Sequence, residues 1–391
     1  MAAPTRRDLL KTAPLAAVPW LAGMSAGQGA EPTPAPPASA FPGLVVRMQE
    51  PRNLEFPITS LQDVITPTEQ FYVRSHFAVP KIDVATWKLK IEGLVEKPLE
   101  LSYDDILKMK SVTKSITLEC AGNGRVFLVP AAKGLQWGFG GVSTGNWTGV
   151  EIATVLEMAG VKPGASEVIF VGADQGAITS DPPSPGPIPY DRGIPLDKVL
   201  KPECLLAYKL NGEDLPPAHG YPLRGVVGGW YGMASIKWLT RIIVTDKPHQ
   251  GFWQTLDYSY FERRDGGLPH LVPVTALDPK AVIAKPSLNE VVPVGKAYTL
   301  HGAAWAGENK VGQVEVSTDG GKTWGRAKLA EQASSLTWTF WEHSWTPAVR
   351  GPASLVVRCS DAKGNRQPDK RDPDRRTSRI NHLVPVEVLV K

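Results

Sequence analysis

Three cysteines (Cys120, Cys204 and Cys359) in a chain of 391 residues cannot build a disulfide framework. There is no CxxC and no HExxH, which removes the common structural and catalytic zinc sites, and no CxxCH, so this chain is expected to carry no c-type haem. No GxGxxG follows a strand-like run, and regular strand–helix alternation is missing, which argues against a doubly wound nicotinamide-binding unit. Flavin-binding signals and a segment resembling cytochrome b5 are missing as well. Charge of one sign is also scarce. The formal net charge is +4, and without residues 1–30, which hold Arg6, Arg7, Lys11 and Asp8, it falls to +2. Such a balance leaves no footprint for nucleic acid or an anionic membrane, so any attraction for an anionic substrate must be local. Beyond the first 30 residues no apolar run is long enough to cross a bilayer.

The N-terminal segment has the character of a targeting signal. Thr5-Arg6-Arg7-Asp8-Leu9-Leu10-Lys11 resembles a twin-arginine export motif, with Leu9 where Phe is more usual. The apolar run from Leu15 to Ala22 is too short for a membrane span, and a Pro/Ala-rich stretch follows it to Ala40. The expected organisation is a signal over residues 1–30 with cleavage between Ala26 and Ala30, then a linker over 31–43. Such a route exports folded protein to the periplasm.

From about Leu44 to Asp265 the pattern is mixed, with short strands, few helices and many Gly/Pro turns. Helices are expected over Ile152 to Ala159, stopped by Gly160, and over Tyr103 to Met109, capped by Ser102. Strands are expected at Glu167–Val171 and over residues 236–244. This mixture predicts an α+β domain over 44–265, and a linker at 266–280 is expected to follow it. Over 281–391 short alternating strands recur: Tyr298–Gly302, Val311–Ser317, Ser335–Trp341, Ala353–Cys359 and Leu383–Val390. They predict an all-β sandwich of immunoglobulin-like type. Ser317-Thr318-Asp319-Gly320-Gly321-Lys322-Thr323-Trp324 matches an Asp-box hairpin, but a single copy makes no propeller and reads as a tight turn with a packed Trp. Cys204 and Cys359 sit in apolar runs and are expected as core strand residues.

The chemistry concentrates around Thr117-Leu118-Glu119-Cys120-Ala121-Gly122-Asn123-Gly124-Arg125. Ile116 and Leu118 alternate on one strand face, and two glycines with an asparagine then turn the chain, so the Cys120 thiol is placed at a strand tip. Arg125 returns positive charge to the same neighbourhood. A thiolate beside a guanidinium can ligate a soft metal or attack an electrophile. The string closely resembles the molybdenum-ligating loop of the sulfite oxidase family, in which the cysteine binds the metal of a molybdopterin cofactor.

That resemblance continues through separated motifs in the family's order. Tyr72-Val73-Arg74-Ser75-His76 looks like the strand that contacts the pterin and offers an arginine to substrate, with Ser75 in place of the usual asparagine. Lys133-Gly134-Leu135-Gln136-Trp137 looks like the segment that places Trp137 at the pocket wall. Val171-Gly172-Ala173-Asp174 matches a pterin-contacting aspartate. His219-Gly220-Tyr221-Pro222-Leu223-Arg224 and Ser235-Ile236-Lys237-Trp238 match two further cofactor segments, and Asp257-Tyr258 falls at the active-site tyrosine. Arg224, Lys237 and His219 can donate to phosphate and pterin edges, Asp174 can accept from ring N–H groups, and the four glycines of Gly225 to Gly232 allow close backbone approach.

The resemblance implies a molybdopterin domain followed by a dimerisation sandwich, with Cys120 as metal ligand and the cofactor in its monophosphate form. It also implies oxygen-atom transfer converting sulfite, or another small sulfur oxyanion, to sulfate. Arg74 and Arg125 would hold the anion, Tyr258 would tune proton transfer and Trp137 would form a dry wall. A third arginine is expected from Arg375, Arg376 or Arg379. With no second redox centre in the chain, electrons are expected to pass to a separate c-type cytochrome. The alternatives within the family are the molybdenum subunit of a sulfane dehydrogenase complex, acting on carrier-bound sulfur, and nitrate reduction. Outside it they are a Cys/His hydrolase using His76 or His219 as base, and a non-catalytic secreted binding module.

Overall fold

The computed structural model describes residues 41–263 and 267–391. The export motif, the apolar run and the Pro/Ala-rich stretch up to Ala40 lie outside the described residues. The described helices are short: Tyr103–Leu107, Ile152–Ala159 and Leu196–Val199 are the α-helices, and strands make up most of the rest. Ser102 and Asp105 close a capping box at the first helix, worth about 1 kcal/mol. Gly160, at φ +68°, stops the second where expected.

Two five-stranded sheets build the first part. One runs in the order Glu213–Asp214, Cys204–Leu210, Val142–Glu151 and Val112–Glu119, with Arg224–Val227 also pairing on Cys204–Leu210. The other runs Leu99–Ser102, Lys88–Gly93, Leu239–Thr245, Glu167–Ala177 and Pro187–Pro195. The second part is a sandwich of a four-stranded sheet (Lys280–Lys285, Tyr298–Trp305, Thr339–Trp345, Lys328–Leu329) and a five-stranded one centred on Gly351–Asp361. Cys204 and Cys359 are fully buried strand residues, as expected, and burial pushes both thiols up to about 12. The Asp319 turn is a self-contained hairpin: its carboxylate accepts from Ser317 Oγ (2.7 Å), Thr323 N (2.9 Å) and Thr323 Oγ1 (2.6 Å), and Arg358 lies over Trp324.

The two parts share one core. Val282, Ala303 and Trp305 of the sandwich, with Trp338 just ahead of its Thr339–Trp345 strand, pack in the same cluster as Leu89, Phe170 and Leu239 of the first part. Two expected strands shift because of this contact and of the site. Residues 334–338 leave the sandwich: Leu336 O accepts from Thr117 N (2.8 Å), and Trp338 N donates to Thr117 Oγ1 (2.8 Å), so the strand begins only at Thr339. Residues 235–238 likewise leave their strand, with Trp238 at φ +51°, and pairing begins at Leu239. The first of these contacts also explains the end of Val112–Glu119. Ile116 to Glu119 are all buried, because the sandwich covers the face that alternation alone would leave open.

Candidate active site

Cys120 is the residue after that strand. Its N–H donates to Gly141 O (2.8 Å), and its carbonyl accepts from Asn123 N (2.9 Å), which turns the chain at once. Its Sγ has no hydrogen-bond partner among the described residues, His76 and His219 included. Two cavities meet there. An inner chamber is lined mostly by buried residues, and an outer funnel has exposed Lys133, Ser180 and Asp181 on its rim. Cys120, Arg74, His76 and Tyr258 line both.

The chamber is walled by Tyr72, Ser75, Asp174, His219, Arg224, Ser235 and Lys237. A register shift between Val171 and Gln175 re-aims Asp174 inward. The departure of residues 235–238 from their strand delivers Lys237, whose Nζ donates to Ser75 Oγ (2.8 Å) and Ala218 O (2.9 Å) over the Trp238 ring. Ser75 is therefore a live contact although it departs from asparagine. Buried Asn53 supplies an amide beside it, accepting from Ser75 N at 3.0 Å. Arg224 Nε donates to Ser235 O (3.3 Å), and the guanidinium lies 5.1 Å from the Trp147 ring. Burial raises Asp174 to about 6, with Lys237 opposing, and lowers His219 to about 3, with Arg224 and Lys237 adding to the effect. Asp174 Oδ1 and His219 Nε2 are buried without a partner. An acceptor and a ring nitrogen held unpaired among cations suit an anionic, hydrogen-bonding ligand of pterin type. At Gly232 a Cβ would stand 2.6 Å from Tyr72 Oη, so only glycine leaves the chamber wall clear there.

The funnel holds Arg74, Arg125, Lys133 and Arg376 against Asp181 and Asp257. Its arginines differ. Arg125 sits between Gly122 and Gly134, where a Cβ would strike the guanidinium, and donates from Nε and Nη2 to Thr377 O (3.0 and 2.9 Å) and from Nη1 to Leu135 O (2.8 Å). It braces the walls while keeping its charge beside Cys120. Arg74 bonds only through Nη1, to Ser75 O and Asn53 Oδ1, and Arg376 only through Nη1, to Leu256 O, Ser259 O and Ser259 Oγ. Each therefore keeps a fork edge for an oxyanion. Of the three C-terminal candidates, Arg376 reaches the funnel; Arg375 and Arg379 both pair with Asp278. Tyr258 Oη lies 2.6 Å from His76 Nε2. Burial raises the phenol, and burial with Arg74, Lys237 and Arg125 lowers the imidazole well below its usual value, so a neutral hydroxyl faces a neutral ring. The π-turn Trp253–Asp257 aims Tyr258, and buried Arg192 holds that turn through Trp253 O (2.7 Å).

Three expected site residues lie elsewhere. Trp137 is fully buried behind Tyr72, edge-on at 6.2 Å, and lines neither cavity. Val73 and Ile236 point into apolar clusters, because each alternates with neighbours that face the chamber. Of the four glycines, only Gly232 lines the chamber; Gly225 packs on Phe170, Gly228 on Glu203 and Gly229 on Glu308. Sequence reasoning missed Tyr190, which stacks on His76 at 4.3 Å and lines the chamber, and Lys133 and Asp181 in the funnel. Lys133 stands at the head of the quoted Trp137 motif; Tyr190 and Asp181 had no motif to mark them.

Residues 76–253 match the oxidoreductase molybdopterin binding domain, and residues 272–377 match the Mo-co oxidoreductase dimerisation domain. Sulfite oxidase from Gallus gallus is 33% identical over 85% of this chain and 74% of its own length. The chain belongs to the sulfite oxidase family. Nitrate reductase [NADH] from Ulva prolifera is also 33% identical, over 78% of this chain and 38% of its own. The solved sulfane dehydrogenase SoxCD from Paracoccus pantotrophus shares the fold at a TM-score of 0.75, with 27% identity and 92% of both chains covered. This chain spans 62% of the length of the mitochondrial sulfite oxidase of Mus musculus. Membership in this oxidoreductase family replaces the hydrolase and binding-module alternatives. Among the described residues no helix is long and apolar enough to cross a membrane.

Proposed function

We propose that this chain oxidises sulfite to sulfate at a molybdenum cofactor held in the inner chamber by Cys120. The observation that carries this reading is the meeting of chamber and funnel at Cys120, with a cationic, incompletely paired lining on one side and arginine forks on the other. Bound there, the cofactor supplies a two-electron redox centre for oxygen-atom transfer.

Lys237 and Arg224 would donate to the cofactor's phosphate and ring edges, Asp174 would accept from its N–H groups, and neutral His219 would meet a polar edge through Nε2. In the funnel Arg74 and Arg376 orient the anion through their free fork edges, while braced Arg125 holds fixed positive charge at the mouth of the chamber. Sulfite and water yield sulfate, two protons and two electrons. The neutral Tyr258–His76 pair fixes the phenolic oxygen where the two cavities meet, so that it can hydrogen-bond a bound anion or water there. The electrons pass one at a time to a separate c-type cytochrome. The cofactor is read as the monophosphate form, the sandwich as a homodimer interface, and the twin-arginine motif as a signal for the periplasm.

A second reading, oxidation of carrier-bound sulfane sulfur, draws support from the likeness to SoxCD and from a funnel far larger than sulfite. The deciding experiment offers sulfite, a protein-bound sulfane and nitrate (with a reduced dye) to molybdenum-loaded protein. Sulfite-dependent reduction of cytochrome c, without dioxygen consumption, is expected. Reduction by the sulfane alone, or turnover of nitrate alone, would overturn the sulfite reading.

A further inference from the structure

The residue before Cys120 carries a carboxylate that faces away from both cavities. Glu119 is 1% exposed, and its Oε1 meets Lys280 Nζ at 2.8 Å; Lys280 is 2% exposed. Lys280 opens the first strand of the sandwich, so the pair joins the two parts of the molecule. Three more bonds close a knot around it. Trp305 Nε1 donates to Glu119 Oε2 (2.8 Å), Asn123 Nδ2 donates to Glu119 Oε1 (3.0 Å), and Lys280 Nζ donates to Asn123 O (2.9 Å). Asn123 Oδ1 in turn accepts from Gly141 N (3.0 Å), whose residue's carbonyl receives the Cys120 N–H.

The knot therefore grips the chain one residue before Cys120 and three residues after it. Neither Glu119 nor Lys280 touches the chamber or the funnel. A buried ion pair is a costly way to add stability, since an apolar pair of similar volume often serves as well, and a role in fixing one geometry is the better-supported use. A metal ligand needs such a fixed surround, and the groups behind a ligand commonly decide how it is presented.

We propose that Glu119 and Lys280 are positioning residues for Cys120: the sandwich domain, through Lys280, sets the orientation of the thiolate that meets the metal. This rests on the reading of Cys120 as the metal ligand. It makes the dimerisation segment part of the active-site architecture and not only an interface.

The test compares Lys280→Met, the double variant Glu119→Gln with Lys280→Met, and Glu308→Gln. Glu308 pairs with buried Lys198, a second clasp between the two parts, so its variant controls for general loosening. Each protein is measured for melting temperature, for iodoacetamide alkylation of Cys120 in the folded molybdenum-free form, and for molybdenum content and molybdenum EPR spectrum when loaded. Lys280→Met is expected to lower the melting temperature, as Glu308→Gln does. It alone of these two should speed Cys120 alkylation several-fold, shift the EPR spectrum and reduce molybdenum retention by roughly tenfold. The double variant removes both charges, so it should recover melting temperature yet keep the altered alkylation and spectrum. Recovery of all three properties in the double variant, or equal changes in Glu308→Gln, would overturn the proposal. Alkylation of Cys120 in fully loaded wild-type protein would instead overturn the ligand reading, whatever the variants do.

Discussion

The chamber and the funnel share four residues and differ in how their polar atoms are paired. Inside, Asp174 Oδ1 and His219 Nε2 are sealed from solvent with no partner, and Lys237 reaches only a hydroxyl and a carbonyl. Outside, Arg125 is tied to carbonyls through all three of its nitrogens, and Arg74 and Arg376 are bonded through one nitrogen only. Unpaired buried groups are expensive, so the chamber is built for a resident whose own donors and acceptors complete it. The funnel keeps its charge whether or not a substrate is present, as a site for a transient anion should. On the proposed function, one wall holds and the other captures.

Changes at Cys120, in the chamber lining and at the arginine forks should then have separable signatures. The largest belongs to Cys120: Cys120→Ser should remove both molybdenum retention and turnover, and near-normal activity would break the ligand assignment. Next, Lys237→Met should cut molybdenum content roughly tenfold in purified folded protein, because a charge-assisted donor to the resident is lost. Arg74→Gln should do the opposite. Molybdenum content stays near that of the wild type, while the sulfite KM rises about 10- to 100-fold, the worth of one charged hydrogen bond. An unchanged KM would contradict its role in the funnel.

A smaller effect separates the brace from the forks. Asp278 binds Arg375, Arg379 and Tyr231, and so anchors the segment that carries Arg376 and Thr377. Asp278→Asn should cost about 2 kcal/mol of stability by denaturant titration, as loss of partly buried charged hydrogen bonds does, and raise KM with the chamber intact. The smallest effect is one of pH. His219 has its folded-state pKa depressed to about 3, against about 6.5 for an unperturbed imidazole. Its contribution to stability is therefore complete above about 6.5 and drains away as pH falls towards 3. Molybdenum-free protein should lose melting temperature across that window, and His219→Gln should flatten the loss.

Much of this was legible in the sequence. The Cys120 turn, the Ile152–Ala159 helix and the sandwich could be read because strand alternation, glycine stops and turn chemistry are local signals. Trp137 could not, since whether an indole lines a wall or packs behind Tyr72 depends on a partner strand far along the chain. The same holds for choosing Arg376 over Arg375 and Arg379, which turns on where Asp278 sits, and for Tyr190, which reaches the site only through sheet pairing. The Glu119–Lys280 pair spans 161 positions, and no spacing rule joins residues so distant.

The most direct test of the central claim is molybdenum per chain, measured on protein matured in a molybdenum-replete host, with Cys120 alkylation followed on the same sample. One molybdenum per chain, with Cys120 protected from iodoacetamide, is the predicted result. Folded protein with no molybdenum and a freely alkylated Cys120 would contradict the account.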